Sequence, residues 1–189
     1  MRKTLLMPLA MLLLIVNANA QFYKPLLPSP AFSENLGKIT QAFRNNYYQI
    51  QGEALPSQED VDVYRSSVAL PGAKQCVIYR FHSKTDTTAS WQGIMYTGDS
   101  YKDALKQYKN TCRLVDKCRV KFADNTAASF TGKIDEPETE LRFVSSLFTL
   151  NTKDAVYDHF YAEVEMVNLT FDQWEVRLNL QSKKEDTEK

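Results

Sequence analysis

The residues best suited to nucleophilic or metal chemistry are three cysteines, Cys76, Cys112 and Cys118, and two histidines, His82 and His159. A thiol nucleophile needs a neighbouring base, most often a histidine. Cys76 and His82 fall in one strand-like stretch but lie about 20 Å apart along an extended chain, too far to meet within it. Two separated histidines and no C-x-x-C spacing leave no zinc framework. The acidic groups Asp124-Asn125-Thr126 and Asp135-Glu136-Pro137-Glu138 lack the ligand spacing of a calcium loop and read as turns. The chain has no G-x-S-x-G, no P-loop and no G-x-G-x-x-G. Glu163 and Glu165 are two residues apart on one strand face, a pair that could serve glycoside chemistry. Glu175 and Arg177 on the neighbouring stretch supply a simpler use, cross-strand ion pairing.

Met1 to Ala20 gives the cysteines another use. Arg2 and Lys3, an apolar run from Leu5 to Val16 and the A-x-A sequence Ala18-Asn19-Ala20 make a secretory signal peptide, with Gln21 as the first mature residue. Export means an oxidising compartment, in which disulfides form. Cys112 and Cys118 are the expected pair, closing a short loop worth roughly 2 kcal/mol in the chain-entropy model. Pairing of Cys76 with either is the alternative. Left single, Cys76 reads as a buried small hydrophobe.

Charge excludes one large class of partner. The 23 basic residues less Arg2 and Lys3 leave 21 against 23 acidic. Nucleic-acid binding rests on clustered phosphate-neutralising cations, and this chain has no basic stripe. No segment after the signal is long and apolar enough to span a bilayer as a helix. No motif calls for a cofactor. What remains is aromatic: ten tyrosines, of which Tyr157 and Tyr161 flank His159 on what alternation makes the outward face of a strand. That trio is the expected binding patch for a partner protein or small ligand.

The elements that must carry these residues follow from periodicity. Residues 21–32 hold Pro25, Pro28 and Pro30 and read as an extended lead-in. Ser33 is the expected N-cap of a first helix, with Leu36, Ile39, Phe43 and Tyr47 on one face. Tyr48–Gly52 suggests a short strand and Pro56–Asp60 a loop. Strands are expected over 61–70, 76–81 and 90–96, with Leu70-Pro71-Gly72-Ala73 as a turn. Tyr101 to Arg113 is the second helix, capped by Asp99 or Ser100, with Tyr101, Ala104, Leu105, Tyr108 and Cys112 buried and its lysines on a solvated face. Strands over 119–122, 127–134 and 140–150 follow. A final hairpin buries Phe160, Ala162, Val164 and Met166 on one strand and Trp174, Val176, Leu178 and Leu180 on the next.

Together these predict an α+β fold: a mostly antiparallel sheet of about six to eight strands with two main helices packed on it. Residues 33–182 form one domain, with duplication of an α-β-β-β unit as a further possibility, and residues 183–189 form a charged tail. The expected function is a non-catalytic binding protein of the bacterial cell envelope. The alternative is an envelope hydrolase whose site is assembled from dispersed acidic residues.

Overall fold

The computed structural model describes residues 27–82, 88–122, 126–138, 142–170 and 173–182. The expected signal sequence, the proline-rich lead-in before Leu27 and residues 183–189 lie outside the described residues.

Helix α1 spans Pro30–Ala42. Its cap lies four residues before the expected Ser33: Ser29 accepts a hydrogen bond from the Phe32 amide. Pro30 follows the cap, where its missing N–H removes no helical bond and its fixed φ suits the first turn. Phe32, Leu36 and Ile39 bury one face. Helix α2 spans Tyr101–Lys117, capped by Ser100, and buries Ala104, Tyr108, Thr111, Cys112 and Val115. Tyr101 instead stands at the surface, edge-on to Trp174. Lys102, Lys106 and Arg113 are exposed, and Lys109 pairs with Glu136 at 2.5 Å.

Nine strands lie among the described residues: β1 Gln51–Gln58, β2 Val61–Ser66, β3 Gln75–Phe81, β4 Ala89–Gly98, β5 Arg119–Lys121, β6 Ala127–Gly132, β7 Phe143–Asn151, β8 Phe160–Thr170 and β9 Gln173–Ser182. They form one sheet in the order β1-β2-β3-β4-β9-β8-β7-β6-β5. Every pairing is antiparallel. The strand count exceeds the expected six to eight, and β1 runs through the segment read as a loop. It includes Pro56, which an edge strand tolerates because one side of its backbone needs no ladder partner. Two irregularities in register, between Gln51 and Ala54 and between Leu55 and Gln58, accompany it.

Alternation sends one set of side chains to the helices. Phe160, Ala162, Val164 and Met166 of β8 and Val176, Leu178 and Leu180 of β9 join the buried faces of α1 and α2 in one core. Trp91 of β4 is fully buried there, donating its indole N–H to the Ser66 hydroxyl at 3.0 Å. Its ring lies over Gly93, where an added Cβ would stand 2.8 Å from the indole.

The chain leaves α1 through two left-handed residues, Asn46 at φ 48° and Tyr47 at φ 61°. Such a conformation is unusual for a bulky residue and is held only where its surroundings fix it. Here it turns Tyr47 into the core, fully buried, with its hydroxyl donating to the Leu180 carbonyl at 2.8 Å. Tyr47→Phe should therefore cost about 1 kcal/mol of stability for the lost hydrogen bond, and Tyr47→Ala about 3–5 kcal/mol for the emptied aromatic site. Urea unfolding of the two variants checks this, and equal midpoints for Tyr47→Ala and the parent would show that Tyr47 anchors nothing.

Candidate functional site

The two faces of the sheet differ. Neither helix lies on the second face, and its central strands present a continuous polar strip. Register places Gln92 of β4 opposite Asn179 of β9, and Asn179 opposite Glu163 of β8. One step along, Arg177 stands opposite Glu165. The strip is hydrogen-bonded across strands. The Tyr79 hydroxyl donates to Gln92 Oε1 at 3.2 Å, Gln92 Nε2 to Asn179 Oδ1 at 2.9 Å, and Gln181 Nε2 to Glu163 Oε2 at 3.1 Å. Arg177 Nε meets Glu175 Oε1 at 2.5 Å. The sequence places Glu175 and Arg177 as cross-strand partners of the β8 glutamates, whereas this ion pair lies along β9 itself. Two residues between them bring both groups to the same face.

Glu175 and Asn179 are each only 7% exposed although no helix covers them. Their neighbours on adjacent strands provide the burial. The strip is thus a preorganised surface rather than a set of mobile solvated chains. Glu163 is a perturbed acid of this strip. Burial and the adjacent Glu165 carboxylate raise its pKa, against the opposing effect of hydrogen bonds from Ser145, Asn179 and Gln181. Burial also raises the Tyr161 phenol, reinforced by Glu163 and Glu165. Beside the acids, β7 exposes Leu147 and Phe143. Leu147 stands directly opposite Glu163.

The expected Tyr157–His159–Tyr161 patch does not form. Strand β8 begins at Phe160, so Tyr157 and His159 precede it: Tyr157 closes a 3-10 turn over Ala155–Tyr157, and His159 sits in the turn that follows. The side chain of Tyr157 is buried among Phe43, Phe122 and Phe160. His159 is exposed in its turn, and only Tyr161 shares the polar face. Asp154 caps the 3-10 turn by accepting from the Val156 amide, a local signal that alternation alone overlooks.

The cysteines are not paired. Cys76, Cys112 and Cys118 are all free and buried. The expected Cys112–Cys118 bridge fails because α2 continues past Arg113 to Lys117. Six helical residues separate the Cα atoms by about 9 Å, beyond the ~7 Å a disulfide spans. The two thiols also face different partners. Cys112 packs against Tyr108 and Ser146, and Cys118 against Ser33 of α1. Burial pushes the Cys112 thiol up to about 12, the opposite of what a nucleophile needs. Tyr108, Ser146 and Asp135 instead form a structural knot: Tyr108 Oη to Ser146 Oγ at 2.6 Å, Tyr108 Oη to the Asp135 carbonyl at 3.0 Å, and the Asp135 amide to Ser146 Oγ at 2.8 Å.

A cleft of 1090 Å³ opens beyond the C-terminal end of α1, lined by Lys38, Arg44, Ile50, Phe122 and Asp154 among others. Its acid, Asp154, is ion-paired with Arg44. It does not gather the convergent carboxylates that the hydrolase alternative requires. Among the described residues no group of three or more His, Cys, Asp or Glu side chains could hold a metal ion, and no helix is long and apolar enough to cross a membrane. No protein-family model, no curated protein and no solved structure matches the chain.

Two measurements follow. Thiol titration of the denatured, unreduced protein should find three free thiols, and the native protein none that react at pH 8; one free thiol after denaturation would restore the bridge. The raised Glu163 fixes a sign for pH dependence. Between the ordinary value of 4.5 and its higher folded value, the native state holds more protons than the unfolded state. Stability from this group is therefore greatest below that window and falls as pH rises through it. Glu163→Gln removes the effect, so the variant should gain stability relative to the parent from pH 4.5 to neutrality. Parallel urea curves at pH 4.5 and pH 7 with an unchanged difference would refute it.

Proposed function

We propose that the chain is an exported, non-catalytic binding protein of the bacterial cell envelope, cleaved after Ala20, that engages its ligand with the uncovered face of β7, β8 and β9. The supporting observation is the ordered polar strip on that face. Among the described residues of these strands, Glu163, Glu165 and Glu175 stand there against a single cation, Arg177, with exposed Leu147 and Phe143 alongside. An anionic, hydrogen-bonding centre with an apolar flank suits a ligand that carries a cationic amine or guanidinium and an apolar segment. The desolvated Glu163 gains most from such a ligand, because a cation nearby favours its ionised form.

A non-catalytic role is favoured over hydrolysis because the acids lie on an open surface. Among the described residues no second acid stands across a cleft from them to complete a general acid–base pair. The cysteines, buried and held protonated, do not supply a nucleophile.

Expression of residues 1–189 in a secreting bacterial host should give an envelope-located product whose N-terminal sequence starts at Gln21. A product retaining Met1 and found in the cytoplasm would sink the export reading. For the face, the probe is a short peptide alternating Lys and Leu, compared with one alternating Glu and Leu. NMR titration of the mature chain should shift resonances of Leu147, Glu163 and Glu165 with the lysine peptide only. The double variant Glu163→Gln, Glu165→Gln should bind it about tenfold more weakly, as loss of charge-assisted contacts implies. Equal response to both peptides, or full affinity in the double variant, would defeat the assignment.

A further inference from the structure

The cleft beyond α1 has a chemistry unlike that of the sheet face. Its lining includes an apolar set, Ala42, Ile50, Val68, Phe122 and Ala127. Its walls bring in three cations, Lys38, Arg44 and Lys153, against one acid, Asp154. These cations are not equivalent. Arg44 is committed to Asp154 and sits 5.3 Å from the centre of the Tyr157 ring, which holds it in place. Lys38 pairs with Glu34 at 2.7 Å, but both side chains are more than half exposed, so this i,i+4 contact is weak and readily exchanged. Lys153 is exposed, next to Asp154. The aromatic group of Phe43, Tyr157 and Phe160 packs behind Arg44, with Phe43 and Phe160 ring centres 4.6 Å apart, and makes that wall rigid. The volume of 1090 Å³ lies just above the range of ordinary small-molecule sites, about 300–1,000 Å³.

We infer that this cleft binds a single-chain amphiphile with one carboxylate, of which a free fatty acid is the simplest. The chain lies against Ala42, Ile50, Val68, Phe122 and Ala127, where burial of methylenes drives association. The carboxylate is held by Lys38 and Lys153, the two lining cations that are not ion-paired with Asp154. An amphiphile with a cationic head would meet excess positive charge, and a neutral one would leave the lysines unused. The cleft lies against α1, away from the uncovered sheet face. The inference therefore goes beyond the proposed function and does not depend on it.

Calorimetric titration of the mature chain with decanoate, decanol and decyltrimethylammonium, each below its micelle-forming concentration, tests it. Decanoate should bind saturably, and the other two about tenfold more weakly or not at all, as expected when charge complementarity supports apolar burial. The double variant Lys38→Ala, Lys153→Ala should weaken decanoate about tenfold and leave decanol unchanged. Both substitutions are at exposed positions, and an unaltered thermal unfolding curve confirms the fold. Ala127→Trp, which adds a ring to the apolar lining, should abolish decanoate binding. Absence of saturable decanoate binding, equal binding of all three probes, or indifference to both variants would overturn the inference. The lysine–leucine peptide titration at the sheet face is unaffected by any of these variants, so failure of one site is distinguishable from failure of the other.

Discussion

The ladder between β4 and β9 holds this structure together. It joins Trp91 to Leu180 at one end and Gly98 to Trp174 at the other. On each side of it, a helix precedes an antiparallel meander: α1 before β1–β4, and α2 before β5–β9. Either meander alone would present its last strand as an unpaired edge, which invites association with other chains. Pairing the two last strands removes both edges and places the largest buried side chain, Trp91, next to the seam. The seam is irregular at one point. The register shifts between Ile94 and Tyr96, so Met95 is the extra residue, buried, and Tyr96 returns to the helix side opposite Val176. Such a bulge increases local twist. The Tyr47 hydroxyl, bonded to the Leu180 carbonyl, then ties the exit of α1 to the same seam.

The two outer edges are managed differently. Strand β5 is only three residues long and lies under α1, where Gln41 Nε2 donates to the Lys121 carbonyl at 2.9 Å. Strand β1 at the other edge carries Gly52, Pro56 and two register irregularities. These features interrupt the regular row of donors that another strand would need.

The sequence was most legible where the period was clean and both faces had distinct chemistry. The β8–β9 hairpin follows from alternation, and its inward residues are those of the core. Helix α2 follows from its Ser100 cap and its spacing of Ala104, Tyr108 and Cys112. Legibility failed where a local rule competed with tertiary context. Proline argued against a strand at Pro56, yet an edge position removes the penalty. Alternation carried β8 back to Tyr157, where the Asp154 cap instead makes a turn that points the ring inward. Glu175 and Asn179 are polar and point away from the helices, yet cross-strand neighbours bury them. That outcome depends on which strand lies beside β9, and strand order is a non-local property. The cleft is the least legible feature, since Lys38, Phe122 and Lys153 belong to three segments far apart in the chain.

The position of β9 in the sheet also sets the order in which the molecule can be completed. Its residues, 173–182, are the last described in the chain, yet they occupy the centre of the sheet. A growing polypeptide can form the helix and meander of its first half from local contacts, but β4 then waits for a partner made some eighty residues later. Closing such a distant pairing is slow, because chain entropy is lost before the ladder repays it. Until β9 is inserted, β4 and β8 are both open templates. The interval between synthesis and closure is therefore when this chain is most exposed to wrong pairing, and also when it is still unfolded enough to be handled by other machinery.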